Sequence, residues 1–76
     1  MKLTILNFKK ILYKGYIVSL IAPGFNGYFQ ILKNHTLFIS ILKNGYIKYH
    51  NQKKEFKIKI DKGLLKVEKN FIIILL

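Results

Sequence analysis

The sequence contains no cysteine, no arginine and no tryptophan, a single proline and only three acidic residues. Each shortage excludes something. Without cysteine there can be no disulfide staple and no thiolate metal site. The acids Glu55, Asp61 and Glu68 each stand among lysines, whereas paired-carboxylate chemistry needs two of them converging in a cleft. Two histidines, His35 and His50, are too few to hold a metal ion without further ligands. Ser19 and Ser40 lie in apolar stretches with no Gly-x-Ser-x-Gly elbow around them. Gly24 and Gly27 lack the following Lys-Ser or Lys-Thr of a phosphate loop. No catalytic residue, metal or cofactor is expected.

Long apolar runs are also missing. The stretches from Phe71 to Leu76 and from Thr36 to Leu42 fall well short of the roughly 20 residues a membrane-spanning helix needs. The opening MKLTILNFKK has no sustained apolar region and no small-residue cleavage site, so the protein is expected to stay in the compartment where it is made.

What is present in excess is lysine. All 14 basic residues are lysine and the net charge is +11. Such a charge invites a nucleic-acid reading, but base-edge recognition leans on the bidentate arginine fork, which is absent here. The sequence is also crowded with Ile, Lys, Asn, Phe and Tyr, the residues of AT-rich codons. Genome composition is therefore one source of the charge, and a solvated lysine face is its plainest expression.

Residues 1–76 make one small domain, which buries only about 60% of the surface its unfolded chain exposes. The periodicity is that of strands. Phe56, Ile58 and Ile60 alternate with Lys57 and Lys59, a half-buried strand with one wet face. Leu3 and Ile5 begin a first strand, and Tyr16–Ala22, Tyr28–Leu32, Thr36–Leu42, Tyr46–His50, Leu64–Val67 and Phe71–Leu75 continue the series. Phe71–Leu75 is apolar on both faces, as in a strand buried between two layers. Turn signals fall at Lys14-Gly15, Pro23-Gly24, Asn26-Gly27, Asn44-Gly45, Asn51-Gln52, Lys62-Gly63 and Lys69-Asn70. This spacing predicts an all-β, two-layer sandwich of about eight to ten short antiparallel strands.

The stretch PGFNGYFQILKNHTLFISILKNG, from Pro23 to Gly45, carries the most information. It orders a Pro-Gly pair, Gly27, Phe29, Ile31 and Leu32, then His35 in a polar break, then an apolar run to Leu42 and a turn at Gly45. That order resembles the signature of the epsilon subunit of F-type ATP synthases, roughly Pro-Gly-x-x-Gly-x-Phe-Gly-Ile-Leu-Pro-Gly-His before an apolar run and a Lys-Pro-Gly turn. LTILNF, the segment from Lys62 to Glu68 and the last strand resemble the family more loosely. The departures are Lys33-Asn34 for Pro-Gly, Gln30 for a glycine, and Tyr28 where the family often has a glutamate near the membrane ring.

The resemblance implies the N-terminal β-sandwich domain of that subunit, a non-catalytic rotor part of a proton-translocating synthase. Its implied partners are the gamma subunit and the c-ring, with membrane contact only through the complex at the cytoplasmic face of the bacterial inner membrane. Asn26, Tyr28, Lys33, Asn34, His35 and Thr36 are then expected to form one end of the sandwich, at the rotor interface. Pro23, Gly24, Gly27, Gly45 and Gly63 are expected to shape turns. The family's last strand usually leads into two C-terminal helices, and the sequence stops at Leu76. A constitutive coupling role without ATP binding or self-inhibition is the corresponding expectation. Two rivals stand beside it. One is a small basic β-barrel binding single-stranded nucleic acid through Tyr46, Lys48 and Phe56, though with no sequence-specific nucleic-acid partner. The other is a lysine-rich peripheral membrane protein drawn to anionic lipid.

Overall fold

The computed structural model describes residues 1–33 and 36–76, and every regular element within them is a strand. In chain order these are β1 (Lys2–Leu6), β2 (Ile11–Tyr16), β3 (Ser19–Gly24), β4 (Gly27–Leu32), β5 (Phe38–Leu42), β6 (Gly45–His50), β7 (Glu55–Ile60), β8 (Gly63–Glu68) and β9 (Phe71–Leu75). They follow one hydrogen-bonded path, β2-β1-β9-β8-β5-β3-β6-β7, with β4 on the free side of β3. The path turns a corner at β5–β3, which share only the pair Gly24↔Leu42. A first layer, β2-β1-β9-β8-β5, thereby folds over a second, β4-β3-β6-β7. This is the expected sandwich with one difference: β1 and β9 run parallel, because the chain's last strand enters between β1 and β8 from the end where β1 begins.

Alternation builds the core. Leu3, Ile5, Leu65, Val67, Ile72 and Ile74 project inward from the first layer, and Leu20, Ala22, Ile31, Ile47, Tyr49 and Ile60 from the second, all nearly inaccessible. Each large aliphatic side chain so buried contributes about 1.5–3 kcal/mol. Aromatic rings close both open sides between the layers. Tyr13 of β2 packs on Tyr49 and Phe56 at centroid distances of 4.6 and 5.2 Å, and the latter two rings stack at 5.1 Å. On the opposite side Phe29 of β4 meets Phe38 of β5 edge-on at 5.3 Å.

Four sequence expectations need correction. The span Tyr16–Ala22 is not one strand: β2 ends at Tyr16, and Ile17 and Val18 connect it to β3. Lys14-Gly15 is not a turn but lies inside β2, whose pattern is broken by a bulge placing Leu12 between the pairs Leu6↔Ile11 and Ile5↔Tyr13. Pro23 and Gly24 are not the turn either, being the last residues of β3; Phe25-Asn26 makes the reversal. Proline is tolerated there because the Pro23 position needs no amide donor, and its carbonyl accepts from the Lys43 N–H at 2.9 Å. Gly27, Gly45 and Gly63 each open the strand after a reversal. Finally, Phe71–Leu75 is buried on one face only. Ile72 and Ile74 point inward while Phe71, Ile73 and Leu75 remain 55%, 42% and 46% exposed, since no third layer covers them.

The corner is tight. A Cβ on Gly45 would lie 2.6 Å from the Tyr28 hydroxyl and 3.0 Å from Pro23 Cβ, at a backbone φ of +154°. Gly45→Ala is expected to cost about 1–3 kcal/mol. Part of that cost should vanish in a Tyr28→Phe background, where the obstructing oxygen is gone. Urea unfolding of the four proteins of this cycle measures the coupling, and strict additivity would refute the contact.

Burial pushes the Tyr49 phenol above its ordinary value of 10.0, with the neighbouring Tyr13 adding to the shift. The fold thus favours the protonated phenol, so this stabilisation is complete below about pH 10 and is lost as pH rises through the folded-state value. The stability difference between the native protein and Tyr49→Phe should be constant from pH 7 to 9 and shrink above about pH 10.

Candidate functional site

Among the described residues, chemistry-bearing groups do not converge. Glu55 opens β7, Asp61 follows that strand's far end, and Glu68 pairs with Lys66 at 3.3 Å on the first layer. Among the described residues no cluster of three or more His, Asp or Glu could hold a metal ion. His50 ends β6 with its Nδ1 3.1 Å from the Asn51 carbonyl, and the Ser40 hydroxyl donates to the Ile41 carbonyl at 3.2 Å. What the sandwich offers instead is surface: two outer faces and two ends.

The first layer's outer face is apolar. The register sets Ile11, Leu6, Leu75, Leu64 and Ile41 in one row across all five strands. Ile73 and Ile39 flank Lys66 in the next row, and Phe71 stands between Lys2 and Glu68 in the third. Ile39 and Ile41 are 61% and 57% exposed. Scattered exposed aliphatics are ordinary, but a contiguous set across five strands exceeds what a free monomer usually presents to water.

The second layer's outer face is polar and basic. Lys48 lies opposite Lys57 and Tyr46 opposite Lys59. The Lys57 and Lys59 ammonium groups sit 4.2 and 5.4 Å from the Tyr46 ring centroid. Tyr28 leans across Pro23 toward β6, where its hydroxyl accepts the Tyr46 N–H at 3.1 Å. Tyr46 and Lys48 share this face, as their spacing predicts. Phe56 does not: it points inward to stack on Tyr49, so the stacking platform of the nucleic-acid reading loses a member.

The ends sort the expected interface residues in an unexpected way. Because β4 spans the sandwich from Gly27 to Leu32, Asn26 and Tyr28 lie at the end where β3 turns into β4, while Lys33 and Thr36 lie at the other. The two sets are separated by roughly 17–20 Å of strand, so they do not form one end. Asn34 and His35 fall outside the described residues. At the Asn26 end the exposed Phe25 shares a depression with Tyr28, Phe29, Phe38, Ile39 and Ile41, which joins this end to the apolar face. Sequence reading missed that face because it took Phe71–Leu75 as doubly buried.

Comparison with known proteins agrees with this architecture. The family profile described as ATP synthase, Delta/Epsilon chain, beta-sandwich domain matches residues 1–76. The ATP synthase epsilon chain of Leptospira interrogans serogroup Icterohaemorrhagiae is 35% identical over 75 residues, covering 99% of this chain and 59% of the relative. The epsilon chain of Chlorobium limicola is 36% identical, covering 97% of this chain and 85% of the relative. Solved structures share the fold at lower identity. A chain in the Euglena gracilis mitochondrial ATP synthase OSCP/F1/c-ring assembly superposes with TM-score 0.89 at 16% identity, over 96% of this chain and 48% of its own length. One in the Tetrahymena thermophila central stalk and c-ring assembly gives 0.80 at 13%, over 97% and 60%. The chain spans 59% of the length of its Leptospira relatives. With its two-layer fold and its matched corner motif, the chain belongs to the β-sandwich domain family of the ATP synthase delta and epsilon chains.

Proposed function

We propose that this domain is a non-catalytic rotor component of a proton-translocating F-type ATP synthase, held on the gamma subunit and the c-ring at the cytoplasmic face of a bacterial inner membrane. The observation that carries the reading is the apolar outer face of β2-β1-β9-β8-β5, which a stalk subunit can cover. A partner bound there removes exposed Ile, Leu and Phe from water, and holding against torque calls for an interface of about 1,000 Å² or more. The face runs without a break into the Phe25–Tyr28 end, so one rotor can engage both: the gamma subunit on the face, the ring loops at that end. Tyr28 in place of an acid makes the ring contact one of packing rather than of charge. Lys33 and Thr36 then belong to the opposite side of the contact region, toward the catalytic head.

Ile41→Gln and Ile73→Gln change outward side chains, so each is expected to weaken binding to the purified gamma subunit about tenfold while altering stability by no more than about 0.5 kcal/mol. Unchanged affinity in both would reject the face. In an assembled enzyme, cysteine at position 26 or 28 should cross-link to c-ring loops and cysteine at position 36 should not. The reverse pattern would show that the sandwich stands on its other end.

A further inference from the structure

Lys48 and Lys57 face each other directly on β6 and β7, with Lys59 the next outward residue along β7. Like charges opposed across neighbouring strands repel and destabilise the sheet that holds them. No acid forms an ion pair with them. Glu55, the preceding outward residue of β7, stands opposite His50, and the only ion pair among the described residues, Lys66–Glu68, is on the other layer. The Tyr46 ring gathers rather than disperses this charge by holding two of the ammonium groups within 5.4 Å of its centre. Tyr28, fixed by its bond to the Tyr46 N–H, forms the far wall of an open groove of about 370 Å³ floored by Ile21.

Two lysines lining an aromatic-walled recess, Lys48 and Lys57, with Lys59 beside it over the Tyr46 ring, leave the groove poorly balanced when empty. Lysine donors rotate and act as point charges, which suits a tetrahedral oxyanion approached from several sides better than a planar carboxylate. We propose that this groove is a binding site for a multiply charged oxyanion of phosphate chemistry, with Lys48 and Lys57 lining it and Lys59 adding charge from its margin. The site lies on the second layer, away from the apolar face, and shares only its Tyr28 wall with the proposed ring contact.

Two arms test it at constant ionic strength. In one, inorganic pyrophosphate is titrated against the protein while amide shifts and the thermal midpoint are followed. In the other, sedimentation measures binding to vesicles containing phosphatidic acid, whose phosphomonoester headgroup supplies the same chemistry from a membrane. The expected result is a saturable response in at least one arm, centred on residues 46–48 and 57–59. It should weaken about three- to fivefold in Lys48→Gln and in Lys57→Gln and persist in the turn variant Lys10→Gln. The responding arm identifies the source of the phosphate. Lys48 has no ring contact to lose, so Lys48→Gln should also raise the midpoint of the ligand-free protein by about 1–6 °C. No saturable response in either arm, or equal weakening by Lys10→Gln, would overturn the site.

Discussion

The fold depends on how closely the two layers approach where the chain passes from one to the other. Only Gly24 and Leu42 pair across that corner, backed by the Lys43 N–H donating to the Pro23 carbonyl. A Cβ at Gly24 would meet the Phe29 ring at 3.0 Å, as one at Gly45 would meet Tyr28 and Pro23. The sequence signature is therefore a description of this corner. Proline sits where no amide donor is needed, Gly24 and Gly45 where a side chain would strike neighbouring strands of the same layer, Gly27 where φ is +115°, and Phe29 packs against the gap that Gly24 leaves. The Phe29–Phe38 contact closes the same side, so relaxing the corner would loosen the edge beside it.

The size of the domain gives that corner its weight. The buried core is small, and a sheet layer with one unprotected apolar face is short of partners on its other side. With no cysteine there is no disulfide to compensate, and the aromatic closures on the two sides add to the protein's conformational definition. A covering subunit would add what the chain does not supply by itself. It would also remove the solvent-exposed row on β5, a strand whose far side is paired only at the corner.

Most of the architecture could be read from alternation, because a half-covered layer imposes a period of two on its residues. What escaped reading has identifiable causes. The bulge at Leu12 puts Ile11 and Leu12 together on the surface and shifts the phase of β2, while Gly15 imitates a turn inside it. A local clue was present. Asn7-Phe-Lys-Lys and Asn51-Gln-Lys-Lys form matching turns, each asparagine side chain accepting two backbone N–H groups at 2.8–3.0 Å. Reading the second turn into the first would have marked the hairpin that β2 completes. The parallel β1–β9 pairing had no such clue, since strand direction is settled by contacts between the chain's two extremes. Asn26 and Tyr28 were grouped at one end with Lys33 and Thr36 for a related reason: closeness in sequence was taken for closeness in space, across a strand that carries the chain from one end of the sandwich to the other.

The same structure bears on the lysine excess. Isoleucine and lysine are both encoded by AT-rich codons, so genome composition pushes an exposed strand position toward either one with similar force. A purely compositional origin would scatter the two across both outer faces. The lysines do scatter in this way, with Lys2, Lys14 and Lys66 outward on the first layer and Lys48, Lys57 and Lys59 outward on the second. The aliphatics do not: Ile11, Ile39, Ile41, Ile73, Leu64 and Leu75 are exposed on the first layer, against Leu32 on the second. Composition sets how much of each residue the chain contains, but not which face receives it, and an aliphatic excess confined to one face is what a covering partner would account for.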